Sequence, residues 1–103
     1  MAVGRLQTVA RVGEVPPGTA SVVRAGDREV TLYNVDGTFY ATQSRCLHLK
    51  GPLGEGELDG VVITCPWHGW QYDVRTGENE FDRALVLDTY EVIVEDGEVK
   101  VAL

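Results

Sequence analysis

Cys46-Leu47-His48 and Cys65-Pro66-Trp67-His68 contain the only two cysteines and the only two histidines of the 103-residue chain. Thiolate sulfur and neutral imidazole nitrogen are the soft donors that hold transition metals. Gathering all four within residues 46–68 argues against a chance pairing of structural cysteines with ordinary surface histidines. A structural zinc site is one reading, since two Cys and two His can form its tetrahedron. Against it, paired zinc ligands are usually separated by roughly two to four residues. Cys46 and His48 have a single residue between them, which is tight for one segment turning around one ion.

The elements that must position these side chains are strands. Runs rich in Val, Tyr, Thr and Phe alternate with turn signals. The run at 19–24 and Arg28–Val35 flank Ala25-Gly26-Asp27. Val35 and Thr38 border Asp36-Gly37, and residues 89–95 and 98–103 border Asp96-Gly97. Asp-Gly between such runs predicts a tight hairpin, because glycine accepts the positive φ that these turns need. Asp59-Gly60 repeats the pattern. Tyr90, Val92 and Val94 alternate with Glu91, Ile93 and Glu95, with Ile93 implying burial on both faces. No stretch has a convincing helical period, so the chain is expected to be all-β. The four candidate ligands fall on two loops rich in glycine and proline, each leading out of a strand. Rigid strands beneath shaped loops are a common way to present a site.

The length suits a single domain over 1–103, able to bury somewhat over 60% of its unfolded surface. At 44% hydrophobic and 24% charged, the composition is that of a globular protein. No apolar run is long enough to span a bilayer, and residues 1–8 have no signal-peptide core. The expectation is a cytoplasmic protein with no membrane contact, its thiols kept reduced. Net charge is −7, which makes nucleic acid an unfavourable partner. The charge is uneven: residues 1–50 sum to +2 and residues 51–103 to −9. The acidic half is either a solubilising surface or a docking face for a basic partner, with Glu55, Glu57 and Asp59 between the two ligand loops.

Beyond the ligands, the window resembles the Rieske proteins, and within them the Rieske-type ferredoxins of bacterial oxygenase systems. Cys46-Leu47-His48 is followed, after sixteen residues, by Cys65-Pro66-Trp67-His68-Gly69. Leu53, Gly56 and Leu58-Asp59-Gly60 fall at the spacings seen in those ferredoxins. Tyr72-Asp73 and Thr76-Gly77 complete the family's H-G-x-x-[FY]-D-x-x-T-G pattern. Leu47 departs from the Thr, Pro or Arg common after the first cysteine, a change expected to affect only local packing.

The resemblance implies an all-β, antiparallel Rieske sandwich or barrel with a small cluster-binding subdomain of two loops, about 44–77. It implies one [2Fe–2S] cluster, with Cys46 and Cys65 on the inner iron and His48 and His68 on the outer iron. Exchanging two thiolates for neutral imidazoles removes negative charge. An electron is then accepted more readily, at roughly −150 to +300 mV rather than about −400 mV. The implied role is a one-electron carrier, not itself an enzyme, between a flavin-dependent reductase and a terminal oxygenase. The alternatives are the small subunit of an assimilatory nitrite reductase and a zinc-stapled binding module without redox role. Trp67 and Trp70 would be apolar cover, a shield for the cluster or a partner contact. Gly51-Pro52 would be a turn or a wall beside the first ligand loop, and Lys50 a surface or docking charge. Cytochrome bc-type Rieske proteins carry a disulfide joining the two ligand loops. The corresponding positions here are Gly51 and Trp67, which cannot form it. Those proteins also have a serine at the position of Trp70 that bonds a cluster sulfide, and a tyrosine at the position of Tyr72 that bonds a cysteine sulfur. Losing the serine implies a potential in the lower part of the range.

Overall fold

The computed structural model describes residues 6–47 and 50–103. Among these residues, ten strands form three antiparallel sheets. They are β1 (Leu6–Arg11), β2 (Thr19–Ala25), β3 (Arg28–Val35), β4 (Thr38–Gln43), β5 (Glu57–Asp59), β6 (Val62–Thr64), β7 (Gln71–Asp73), β8 (Thr89–Tyr90), β9 (Val92–Glu95) and β10 (Glu98–Ala102). The sheet orders are β1-β10-β9, β2-β3-β4-β8 and β5-β6-β7. Among the described residues there is no α-helix, as the absence of a helical period predicts.

The turns explain the registers. Asp36 and Gly37 have φ of 54° and 97°, and Asp96 and Gly97 have 52° and 76°. Positive φ at both central residues is the type I′ hairpin, whose twist matches that of the flanking strands. The β5–β6 turn differs from the expected one. Asp59 pairs with Val62, so its central residues are Gly60 and Val61. Only Gly60 is left-handed there, at φ 61°. The Ala25–Arg28 pairing likewise centres the β2–β3 turn on Gly26-Asp27, with Gly26 at φ 67°.

Strand β3 divides two cores. Leu32 packs with Ala10, Val15, Phe39, Val99 and Val101 in the core of the larger sheets. The next residue, Tyr33, points the other way and joins Leu53, Ile63, Tyr72, Val74, Leu87 and both cysteines. A strand alternates its side chains between faces, so one covered on both sides reads as a continuous apolar run. Each fully buried aliphatic side chain contributes roughly 1.5–3 kcal/mol. The Tyr33 hydroxyl is satisfied by Thr42 Oγ1 at 2.8 Å. The expectation for β9 fails at Val94, which is 47% exposed. β9 is the edge strand of its sheet, and of its two valines only Val92 packs against the core.

Candidate metal centre

The two ligand loops are built alike. Cys46 follows β4, and its N–H donates to the Gly51 carbonyl at 2.8 Å. Cys65 follows β6, and its N–H donates to the Trp70 carbonyl, also at 2.8 Å. Each cysteine amide thus closes a loop onto the residue five positions ahead. The residue four positions ahead is left-handed in both, Lys50 at φ 57° and Gly69 at φ 74°. Glycine takes that conformation freely, whereas a lysine there costs about 1–2 kcal/mol. The first loop is held at its base by the Arg45–Pro52 bridge and by the Leu53 N–H donating to the Ser44 carbonyl at 3.1 Å. The loops touch at Gly51, where a Cβ would stand 2.5 Å from Cys65 Sγ and 3.2 Å from Trp67 Cβ. Gly51 is therefore part of the wall between them as well as a turn residue.

Cys46 and Cys65 are 2% and 1% exposed, lie in one apolar cluster and form no disulfide. His68, at the outer end of the second loop, is exposed. His48 lies outside the described residues. The Tyr72 hydroxyl is 3.1 Å from Cys46 Sγ and accepts the Leu47 N–H at 3.3 Å. Burial first, and the neighbouring Cys46 sulfur second, push the Tyr72 phenol well above its usual pKa. Tyr72 therefore remains a protonated donor across the physiological range. Trp70 is half-buried against the cysteine cluster, whereas Trp67 is 55% exposed. With Leu47 at 40%, Trp67 leaves apolar surface at the loop tips. Trp70 is thus cover for the core, and Trp67 is available to a partner.

The donors fit the implied [2Fe–2S] group. Two buried thiols on one side and an exposed imidazole on the other are the chemical division that a two-iron site with unlike ligands requires. Among the described residues, no three of His, Cys, Asp and Glu converge as they would around a single ion. A set shared by two irons needs convergence only in pairs.

Charge flanks the loops unequally. Beside the first loop lies a cleft lined by Arg28, Glu29, Arg45, Cys46, Leu47 and Lys50. Glu29 is paired with Arg24 at 3.7 Å. Beside the second loop, Glu55 and Glu57 line a cleft with Thr64, Cys65, Pro66 and Gly69. Asp59 sits at the far end of the β5–β6 hairpin from Cys65, so it does not join them. Cations gather beside the first loop and carboxylates beside the second, and the two meet where Glu29, Arg45, Glu55 and Trp67 line one cleft.

Asn79 is a residue that sequence reasoning missed. It forms an antiparallel bridge with Tyr72 and is 2% exposed. Its partners come from a long loop with no regular pattern, and no local signal could have found it.

Comparison with known proteins agrees with this geometry. The family model described as "Rieske [2Fe-2S] domain" matches residues 5–100. The chain is 42% identical over 96 residues to ferredoxin CarAc of Metapseudomonas resinovorans, covering 91% of this chain and 90% of the relative. It is 47% identical over 68 residues to the biphenyl dioxygenase ferredoxin subunit of Pseudomonas sp. (strain KKS102), covering 65% and 62%. Among solved structures, it matches a chain in the complex of reduced oxygenase and oxidised ferredoxin in carbazole 1,9a-dioxygenase. That match has a TM-score of 0.84 and 40% identity, and covers 94% of this chain and 92% of that one.

Proposed function

The chain belongs to the Rieske [2Fe-2S] domain family, and from that premise we propose that Cys46, His48, Cys65 and His68 hold one cluster at the tips of the two loops. When bound, the group supplies one-electron redox chemistry at a mild potential, roughly −150 to +300 mV. Cys46 and Cys65 take the buried side, and His48 and His68 the solvent side. Tyr72 donates to the Cys46 sulfur. Leu53, Ile63 and Trp70 keep water from the sulfurs, while the exposed imidazole edge lets a partner approach closely. The observation that carries this assignment is the pair of matched loops, each closed by its own cysteine amide around a buried thiol.

The protein is a ferredoxin of the dioxygenase type: an electron carrier serving a terminal oxygenase, with a reductase as the donor, and not itself the catalyst. The reductase carries flavin, since a flavin can divide a hydride's two electrons into the single electrons that a carrier accepts. The named relatives belong to dioxygenase systems, which favours this role over the nitrite reductase small subunit and the zinc-stapled module. Among the described residues no helix is long and apolar enough to cross a membrane. Thiols kept out of a disulfide accord with residence in the reducing cytoplasm. Iron and acid-labile sulfide analysis tests the assignment. It predicts two of each per chain, with loss of both on Cys46→Ser or Cys65→Ser.

A further inference from the structure

Asn79 is buried at 2% exposure, and its orientation is fixed from one side. Its Oδ1 accepts the Phe81 N–H at 2.8 Å and the Asp82 N–H at 3.0 Å. Two backbone donors on one atom identify that atom as oxygen, so the other must be the amide nitrogen. That nitrogen, Nδ2, is buried and has no partner within hydrogen-bonding geometry. A buried donor left unmade costs about 1–3 kcal/mol, so it calls for an explanation.

The explanation lies across the Tyr72–Asn79 bridge. Directly opposed residues of an antiparallel pair project to the same side. The Tyr72 oxygen has one hydrogen and two lone pairs to place. The Leu47 N–H takes one lone pair at 3.3 Å, and Cys46 Sγ stands 3.1 Å away. One lone pair remains. Both Tyr72 and Asn79 are buried on that side of the bridge.

We infer that Asn79 is a positioning residue for the sulfur contact: its Nδ2–H donates to the Tyr72 oxygen, so that the phenolic hydrogen is committed to Cys46 Sγ. The inference rests on the cluster assignment above and goes beyond it. With both lone pairs filled by N–H donors, the hydroxyl has no acceptor other than sulfur. Two donors on the oxygen also polarise its O–H, which strengthens the bond it gives. Sulfur is a better acceptor when the site carries the extra electron. Asn79 therefore favours the reduced state, through Tyr72 rather than by touching the group itself.

A double-mutant cycle on the reduction potential of the intact holoprotein tests this. Asn79→Ser keeps a neutral acceptor for the 79–82 turn but is too short to reach Tyr72. The expected result is a lower potential, worth threefold or more in the reduction equilibrium constant, or about 28 mV at 59 mV per tenfold. In the Tyr72→Phe background the same substitution should leave the potential unchanged. Should Asn79→Ser fail to hold the cluster, Asn79→Thr takes its place in the cycle, since its hydroxyl keeps a neutral acceptor for the turn and is likewise too short to reach Tyr72. Equal shifts in the two backgrounds, or no shift in either, would overturn the role of Asn79 while leaving the cluster assignment intact. A native protein without iron would overturn both.

Discussion

Loss of the Tyr72 hydroxyl takes a donor from the Cys46 sulfur and an acceptor from the Leu47 N–H, without changing the ring that fills the cysteine core. Tyr72→Phe should therefore lower the reduction potential and leave the fold intact. A hydrogen bond to a charged group is worth about 1.5–3 kcal/mol, of which only the difference between oxidation states counts. A difference of about 1 kcal/mol corresponds to roughly 40 mV. Voltammetry of the variant reads it, and an unchanged potential would show that the 3.1 Å contact has no electronic consequence. The types and spacing of the ligands, and the tyrosine four residues after His68, were legible in the sequence because the chemistry needs those side chains at those places. Asn79 was not legible. Its role depends on a bridge that brings residue 79 opposite residue 72, and on an amide oriented by two backbone groups.

Strand β7 runs into a tight turn, and the loop after it folds back on the cysteine core. The Asp73 carboxylate accepts the Arg75 N–H at 2.8 Å, Nε at 3.1 Å and Nη2 at 2.8 Å. The Arg75 side chain, before anything else, holds the Asp73 carboxyl below its ordinary pKa. A lowered folded-state pKa gives stability that is fully present above the ordinary carboxylate value. It is lost as pH falls through the lowered one. Arg75→Gln should therefore lower the melting temperature slightly near pH 7, the loss being small because the arginine is exposed, and the difference from the native protein should close as pH falls through the lowered pKa. Thermal melts by circular dichroism from pH 7 into acid check this, and a difference that stays constant with pH would show that the pair does not stabilise the fold. Gly77 tests the return of the loop. Its φ is 84°, and a Cβ there would strike the Leu87 carbonyl oxygen. The Gly77 carbonyl in turn accepts the Leu87 N–H at 2.8 Å. Gly37 has φ 97° with open space around it. Gly37→Ala should cost about 1–2 kcal/mol of unfolding free energy, the price of a left-handed alanine alone. Gly77→Ala should cost clearly more in denaturant unfolding, and equal costs would contradict the close approach. The hairpins at Asp36-Gly37 and Asp96-Gly97 were legible because their turn chemistry is local. The fold-back of residues 78–87 was not, since Leu87 finds the cysteine core only through long-range packing.

The whole molecule divides labour between a strand scaffold and one charged end. Its net charge of −7 conceals a site with Arg28, Arg45 and Lys50 beside the first loop and Glu55 and Glu57 beside the second, Arg45 and Glu55 sharing a cleft with Trp67. The sequence showed the charge asymmetry between its halves. It could not show that β5 directs Glu57 toward Cys65 and Asp59 away from it, because that depends on hairpin register. A partner docking over Leu47 and Trp67 meets both flanks. The second-order rate of electron transfer from the reductase should fall as salt is raised, by screening of complementary charges. Glu55→Gln with Glu57→Gln should flatten that dependence. Stopped-flow measurements across ionic strength decide it, and a salt-independent rate would make the acidic surface a matter of solubility alone.

All of this depends on two irons with unlike ligands, and low-temperature EPR of the reduced protein tests that most directly. Thiolate ligation on one iron and imidazole on the other makes the pair unequal and localises the added electron. The account predicts a rhombic signal of low average g, integrating to one spin per chain. A colourless protein that gives no signal and contains one zinc per chain would contradict it.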